Sequence, residues 1–351
     1  FLAFLAALFA PSIAKFLESA GKPKEKPEAT STLPSEESSK SEEAASAPPP
    51  DPEKLRRAYL WKHFCRCVNL DIRLLDPKSA IQKIDLELTA VFTSLDVLDA
   101  FEDEEVETGK SRRTDLEPGR AERRSPALAA ISRYPQLVLL GDPGAGKSAL
   151  VNFITLCLAG AWLDRADANL QNLAEAWQLP RLFPVPVILR DYARQGLLKR
   201  QGLWEFIEEQ LKNDSEAEVR ACAQVVKAHL EQPDGALLLL DGLDEVPDAH
   251  QMRAALKTAV EAFAGRFPHC RIVVTARPYA YRDPEDPRKP RVRLANFEVR
   301  ALQPFAAEQI ETFIDRWYAH VSSKDQTLDA ETARQYARHL QYAIKHNPRL
   351  A

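Results

Sequence analysis

Glycine is scarce in this chain of 351 residues: there are 12, against 25 prolines. A backbone so poor in glycine has few points where it can turn left-handed or press close to a ligand. Three of the 12, Gly141, Gly144 and Gly146, nevertheless fall within six residues. Cysteine is scarce too, and five in a chain of this length make no disulfide framework, which suits a reducing compartment. Cys157 and Cys222 sit in apolar helical patterns and read as small core residues. His63-Phe-Cys65-Arg-Cys67 has the wrong spacing for a zinc knuckle and no second Cys/His pair follows, so it reads as a packed helix face. Neither sign of charge dominates, with 47 basic residues against 51 acidic ones. That balance removes any whole-chain electrostatic case for nucleic acid, and the basic residues are scattered rather than striped.

Long apolar runs are also missing. One short run opens the chain, Phe1–Ala14, about 21 Å as a helix against roughly 30 Å of hydrocarbon core. It is open to three readings: the tail of a transmembrane helix, a signal-peptide core, or an amphipathic or buried helix. No basic leader precedes it, while Lys15, Lys22, Lys24 and Lys26 follow, so a spanning helix would leave the remainder on the cytosolic side. The expectation is a membrane-associated helix over 1–17 that holds the chain at the cytoplasmic face of a membrane. Residues 18–53, rich in Lys, Pro, Glu and Ser and ending Pro48-Pro49-Pro50-Asp51-Pro52, cannot bury a core and read as a disordered linker.

From residue 54 to 128 the pattern is mixed. Leu55, Tyr59, Phe64 and Val68 share one helix face, Ile84–Leu95 reads as a strand or extended segment, and Phe101–Ser125 as a charged loop. Over 129–302, apolar runs at Leu137–Leu140, Phe183–Asp191, Ala236–Leu240, Cys270–Thr275 and near Phe297–Leu302 alternate with helical patterns. The helices are expected at Ala149–Ala161, Leu203–Lys212, Glu216–Glu231 and 249–266. Such alternation predicts an α/β three-layer sandwich around a parallel central sheet. Residues 303–351 are helical, with Phe305, Ile310, Phe313, Ile314 and Trp317 on one face and a second helix over Asp329–Lys345.

The glycine cluster belongs to Gly141-Asp142-Pro143-Gly144-Ala145-Gly146-Lys147-Ser148, a Walker A or P-loop pattern between an apolar run and a helix. Backbone N–H groups in such a loop can wrap a phosphate chain. Lys147 then supplies a point charge for the β- and γ-phosphates, and the Ser148 hydroxyl can reach Mg²⁺. The run Ala236–Leu240 ends in Asp241-Gly242-Leu243-Asp244-Glu245. A carboxylate at the end of a buried strand is where a P-loop sheet holds Mg²⁺, a role that falls to Asp241. Asp244 or Glu245 could orient a water for hydrolysis; a helix N-cap with an acidic first turn is the blander alternative. Val273-Val274-Thr275-Ala276-Arg277-Pro278 ends a further strand with a cation able to sense the γ-phosphate.

The set Gly141–Ser148, Phe183–Asp191, Leu237–Glu245 and Ile272–Pro278 closely resembles the NACHT family of signal-transducing (STAND) nucleoside triphosphatases. The distinguishing mark is Asp241-Gly-Leu-Asp244-Glu245, with a small residue after the metal aspartate; remodelling AAA-type ATPases carry Asp-Glu directly. Phe297–Tyr318 is similar to the family's entry into its helical domain. The similarity spans roughly 130–351, and weakly 55–100. The resemblance implies a P-loop NTPase fold followed by part of a helical domain. It also implies ATP and ADP as ligands with Mg²⁺, slow hydrolysis, self-association on activation, and a trigger ligand sensed by a region beyond Ala351. A nucleotide-gated scaffold with negligible hydrolysis, an AAA-like remodelling ATPase and a small-molecule phosphotransferase remain as rivals. ATP over GTP rests on the resemblance. Arg133 and Tyr134, just before the first strand, are open between contact with the base and surface packing.

Overall fold

The computed structural model describes residues 51–68, 87–98, 124–174, 176–247, 251–281, 292–324 and 328–346. The expectations for the apolar run 1–14, for linker residues 18–50, for 84–86 of the expected strand and for 101–123 of the charged loop lie outside those residues.

Helix α1 (Pro52–Val68) comes first, followed by strands β1 (Asp96–Leu98) and β2 (Arg124–Pro126) and helix α2 (Ala127–Arg133). Strand β3 (Gln136–Leu140) leads through the Walker A loop into helix α3 (Lys147–Trp162), and β4 (Phe183–Ile188) into α4 (Leu189–Gln195). Helices α5 (Leu203–Lys212) and α6 (Ala223–Glu231) precede β5 (Ala236–Asp241); α7 (Met252–Arg266) precedes β6 (Arg271–Ala276). Strand β7 (Glu298–Ala301) is followed by helices α8 (Ala307–Lys324) and α9 (Ala330–His346).

Five strands form one sheet in the order β4-β5-β6-β3-β7, and every pairing is parallel. Residues 236–240 of β5 and all of β6 are buried, which is why they read as unbroken apolar runs rather than alternating ones. Prolines 184 and 186 lie inside β4, a position tolerated because β4 is an edge strand. The Tyr59 hydroxyl of α1 covers that edge by donating to the Pro184 carbonyl at 3.3 Å. Tyr59 also stacks on Phe183, with ring centroids 5.0 Å apart, so α1 is mounted on the sheet as well as on α3.

Three local expectations are corrected. Residues Leu88–Val91 form a single helical turn, and the strand begins only at Asp96. Leu88 and Val91, three apart, both turn inward, a spacing a strand cannot bury on one face. The end of the charged loop is ordered: Arg124–Pro126 pairs antiparallel with Asp96–Leu98. Finally, Glu216–Glu231 is two helices, Ala217–Arg220 and α6, parted where Cys222 is drawn against α1 and its thiol donates to the Leu55 carbonyl at 3.0 Å.

A second apolar core gathers Phe313, Ile314, Trp317 and Val321 of α8 with Ala333, Ala337 and Ile344 of α9, and Val91 joins them. The segment 87–98 thus reaches both cores, since Leu88, Leu95 and Val97 belong to the first.

Candidate functional site: the carboxyl ends of the sheet

The strand order inserts β6 between the Walker A strand and the strand that ends in Asp241. Register then aligns their carboxyl ends, with Leu140 opposite Ala276 and Ile188 opposite Asp241. Ligands of open α/β sheets bind in the crevice outside those ends. The Walker A loop, Asp241–Glu245 and Arg277 gather there.

The Walker A loop continues the ladder for one more bond, from the Gly141 N–H to the Ala276 carbonyl at 3.0 Å, and then leaves the sheet. Gly146 caps α3 with φ of +83°, and a Cβ there would meet Leu95 Cδ1 at 3.2 Å. Only glycine suits both conditions. The loop's curvature and the α3 N-terminus therefore present backbone N–H groups to the same space, an arrangement that suits an anion. Asp142, Pro143 and Gly144 are exposed at the tip, Ala145 is half-buried, and Ser148 is exposed on the first turn.

Lys147 folds back over the loop, its Nζ donating to the Gly141 carbonyl at 2.6 Å and the Asp142 carbonyl at 3.0 Å. Burial draws its pKa below the usual lysine value; Asp244, Asp241 and Asp142 oppose the shift, while Arg277 adds to it. The three motifs therefore share one electrostatic neighbourhood.

One hydroxyl couples β5 to β6. Thr275 Oγ1–H donates to Asp241 Oδ1 at 2.5 Å and accepts from the Gly242 N–H at 2.9 Å. The second Asp241 oxygen has no hydrogen bond among the described residues and is available to a cation. Gly242 takes φ of +84°, turning the chain into the Leu243–Glu245 helical turn. Both oxygens of Asp244, by contrast, are taken by Arg277: the backbone N–H reaches Oδ1 at 3.1 Å and Nε reaches Oδ2 at 2.8 Å. Only 5% of the Asp244 side chain is exposed. Glu245 is more open and, among the described residues, makes one ion pair, to Arg190 Nη1 at 3.2 Å.

A cavity of about 230 Å³ adjoins this cluster, lined by Ser148 and Asn152 of α3, Ile188 of β4, Asp241, and Arg66 of α1. The donor set fits Mg²⁺ with a nucleotide: a hydroxyl and a carboxylate face the same cavity, both are hard oxygen ligands, and the neighbouring loop is shaped for phosphate. Among the described residues no group of three or more His, Cys, Asp or Glu could hold a metal by itself, so water and phosphate oxygens would complete the shell.

Sequence reasoning missed Arg190 and Arg66. Arg190 could have been flagged, as it directly follows a strand whose end faces Asp241; Arg66 carries no sequence signal, because only the docking of α1 brings it there. Of Arg133 and Tyr134, Tyr134 packs, while Arg133 is exposed with its guanidinium 5.3 Å from the Tyr134 ring centroid. Tyr134 precedes β3 at the end away from the Walker A loop, and its hydroxyl accepts from Arg300 Nη2 at 2.7 Å. The His63–Cys67 stretch lies on α1, with Cys67 buried and its thiol 3.7 Å from Asn152 Oδ1.

A family model described as NACHT domain matches residues 135–321, more than half of the chain. Among solved structures, the chain is similar to domain III of the replication initiation protein DnaA from Thermotoga maritima. The identity is 15% and the TM-score 0.33, over 62% of this chain and 80% of that one. No curated protein matches the chain.

Proposed function

The chain belongs to the NACHT-domain family of P-loop NTPases, and from that premise we propose that it is a nucleotide-operated switch that binds Mg²⁺-ATP, hydrolyses it slowly and couples nucleotide state to self-association. The observation that carries the reading is the convergence of Lys147, Asp241, Thr275 and Arg277 at adjacent strand ends.

The Gly141–Ser148 backbone and Lys147 would cradle the phosphate chain, and Ser148 and Asp241 would hold the metal. Bound Mg²⁺ supplies charge neutralisation at the β- and γ-phosphate oxygens. Thr275 keeps the Asp241 carboxylate turned toward that position. Asp244 is best read as a positioning residue: by occupying the Arg277 backbone N–H and Nε, it leaves the two Nη groups free for phosphate. Glu245 is then the carboxylate with capacity to orient an attacking water, restrained by Arg190. ATP rather than GTP, and a trigger ligand acting outside this stretch, rest on the family likeness.

A nucleotide-binding assay with Mg²⁺ tests the site. Lys147→Ala should abolish binding, whereas changing Asp244 and Glu245 together to Asn and Gln should leave binding and stop turnover. Unchanged affinity in the Lys147 variant would remove the assignment. The rival in which assembly is the output and hydrolysis incidental is separated by single-turnover hydrolysis set beside particle size in ATP and in ADP.

We also propose tethering to the cytoplasmic face of a membrane through the apolar residues 1–14 and the lysines behind them. No helix among the described residues is long and apolar enough to cross a membrane. Deleting 1–17 should release the protein from the membrane fraction, and unaltered fractionation would end the proposal.

A further inference from the structure

We propose that Arg66, on a helix outside the nucleotide-binding sheet, reads the terminal phosphate of a bound nucleoside triphosphate within its own chain. The inference rests on the Mg²⁺-nucleotide reading above and deepens it by adding a residue that distinguishes triphosphate from diphosphate.

Three observations support it. First, Ser148, Asp241 and Arg66 all line the same cavity of about 230 Å³. A water needs about 10–15 Å³ of such space, so a hydrated cation together with a phosphoryl edge can be accommodated. Second, Arg66 is the only cation lining this cavity; Lys147 and Arg277 line none of it. It makes no ion pair among the described residues, and a guanidinium in that position is free to meet an incoming anion. Third, the end of α1 is pinned rather than frayed. Cys67 is buried against Asn152 of α3, Phe64 packs where Gly160 of α3 leaves room for it, and Tyr59 is bonded to the edge of β4. The backbone bearing Arg66 is therefore held at a fixed distance from Ser148 and Asp241, and only side-chain torsions remain to be set.

A bland account exists: an Arg in the last turn of a helix complements the helix dipole. That account explains the charge but not its presence in a cavity shared with both prospective metal ligands. A guanidinium also suits a phosphate better than a solitary ammonium, since it can donate two parallel hydrogen bonds. Loss of the γ-phosphoryl group would remove the partner of Arg66 while leaving the contacts of the Walker A loop in place. Nucleotide state would then be felt by α1, an element outside the sheet.

The test is calorimetric titration of the 351-residue chain with Mg²⁺ and either a non-hydrolysable ATP analogue or ADP. Arg66→Ala should weaken the ATP analogue about tenfold and ADP less than twofold, with Arg66→Lys in between. Backbone amides of residues 62–67 should exchange more slowly with the ATP analogue than with ADP in the native chain, and equally in Arg66→Ala. Equal weakening of both nucleotides, or of neither, would overturn the proposal, as would exchange at 62–67 that ignores the third phosphate. Arg66 is exposed, so its variants should fold, and Arg66→Gln gives a second replacement. Lys147→Ala run in parallel separates the two levels of the argument: if it leaves both affinities intact the site itself is misassigned, whereas if it abolishes both the Arg66 result stands alone.

Discussion

Thr275 shows how little chemistry separates a formed site from a merely assembled one. Its hydroxyl is at once donor to Asp241 and acceptor from the Gly242 N–H, fully buried between two strand ends. Valine has the same shape but can do neither. Thr275→Val should therefore cost about 1–3 kcal/mol in urea unfolding, because a buried N–H is left unsatisfied. It should also raise the Mg²⁺ concentration needed for nucleotide binding, while Thr275→Ser should restore both. An unchanged Mg²⁺ requirement would mean that Asp241 is oriented by something else. Gly146 supports a similar argument from sterics. Gly146→Ala would combine a left-handed backbone with a Cβ 3.2 Å from Leu95, so it should destabilise the loop by roughly 1–3 kcal/mol and impair nucleotide binding. Binding at native strength would show that the loop relaxes around the methyl group.

At the scale of elements, what the sequence revealed and what it concealed divide along a physical line. Strands β3, β5 and β6 were legible because a strand covered on both faces must be apolar throughout, and the Walker A and Asp241–Glu245 motifs stand at their ends. Helix α5 was legible from its periodicity to the residue. The turn at Leu88–Val91 was not, since four residues carry too little pattern to tell a helical turn from a strand. Nor was the partition of carboxylates: Asp244 and Glu245 are adjacent in sequence, and only the closeness of β5 and β6 gives one to Arg277 and the other to Arg190. The segment 87–98 has the same character. Its Phe92 stacks on Phe153 of α3, with centroids 3.7 Å apart, while Arg316 of α8 donates to the Phe92 carbonyl and Gln309 to the Ser94 carbonyl at 2.8 Å. A short strap thus joins the helix behind the Walker A loop to the helical pair. Phe92→Ala should loosen that joint, and because the ring is half-buried on Phe153 the cost should fall below the roughly 3–5 kcal/mol of a fully buried phenylalanine. Hydrogen exchange in 307–346 should rise while β5 and β6 stay protected, and equal loss of protection in both regions would show that the strap is not the joint.

Across the whole molecule, the docking of α1 is the contact most exposed to acid. His63 of α1 packs on Tyr59 (4.5 Å between centroids), Tyr59 on Phe183 of β4, and Phe183 on His229 of α6 (4.4 Å, planes 5° apart). This row of rings has an imidazole at each end. Burial pushes the His63 pKa down to about 3, aided by Arg66 and Lys62 and opposed by Asp214; burial and Arg56 push His229 down to about 4. Unfolded, each imidazole titrates near 6.5, so between that pH and the folded values the unfolded chain binds more protons. Stability is therefore complete above about pH 6.5 and falls as pH drops, by up to about 1.4 kcal/mol per pH unit for each histidine. Carboxylates held in ion pairs add their own losses only at lower pH, near their ordinary range. The interval from pH 6.5 to 4.5 therefore isolates the two rings. His229→Phe keeps an aromatic partner for Phe183 but removes one titration, so the slope of unfolding free energy against pH over that interval should fall by about half. A slope that His229→Phe leaves unchanged would place the acid sensitivity elsewhere. If the slope does halve, the row of rings that mounts α1 on the sheet also governs whether Arg66 is held beside Ser148 and Asp241. Discrimination between ATP analogue and ADP should then fade over the same acidic interval, before the strands themselves come apart.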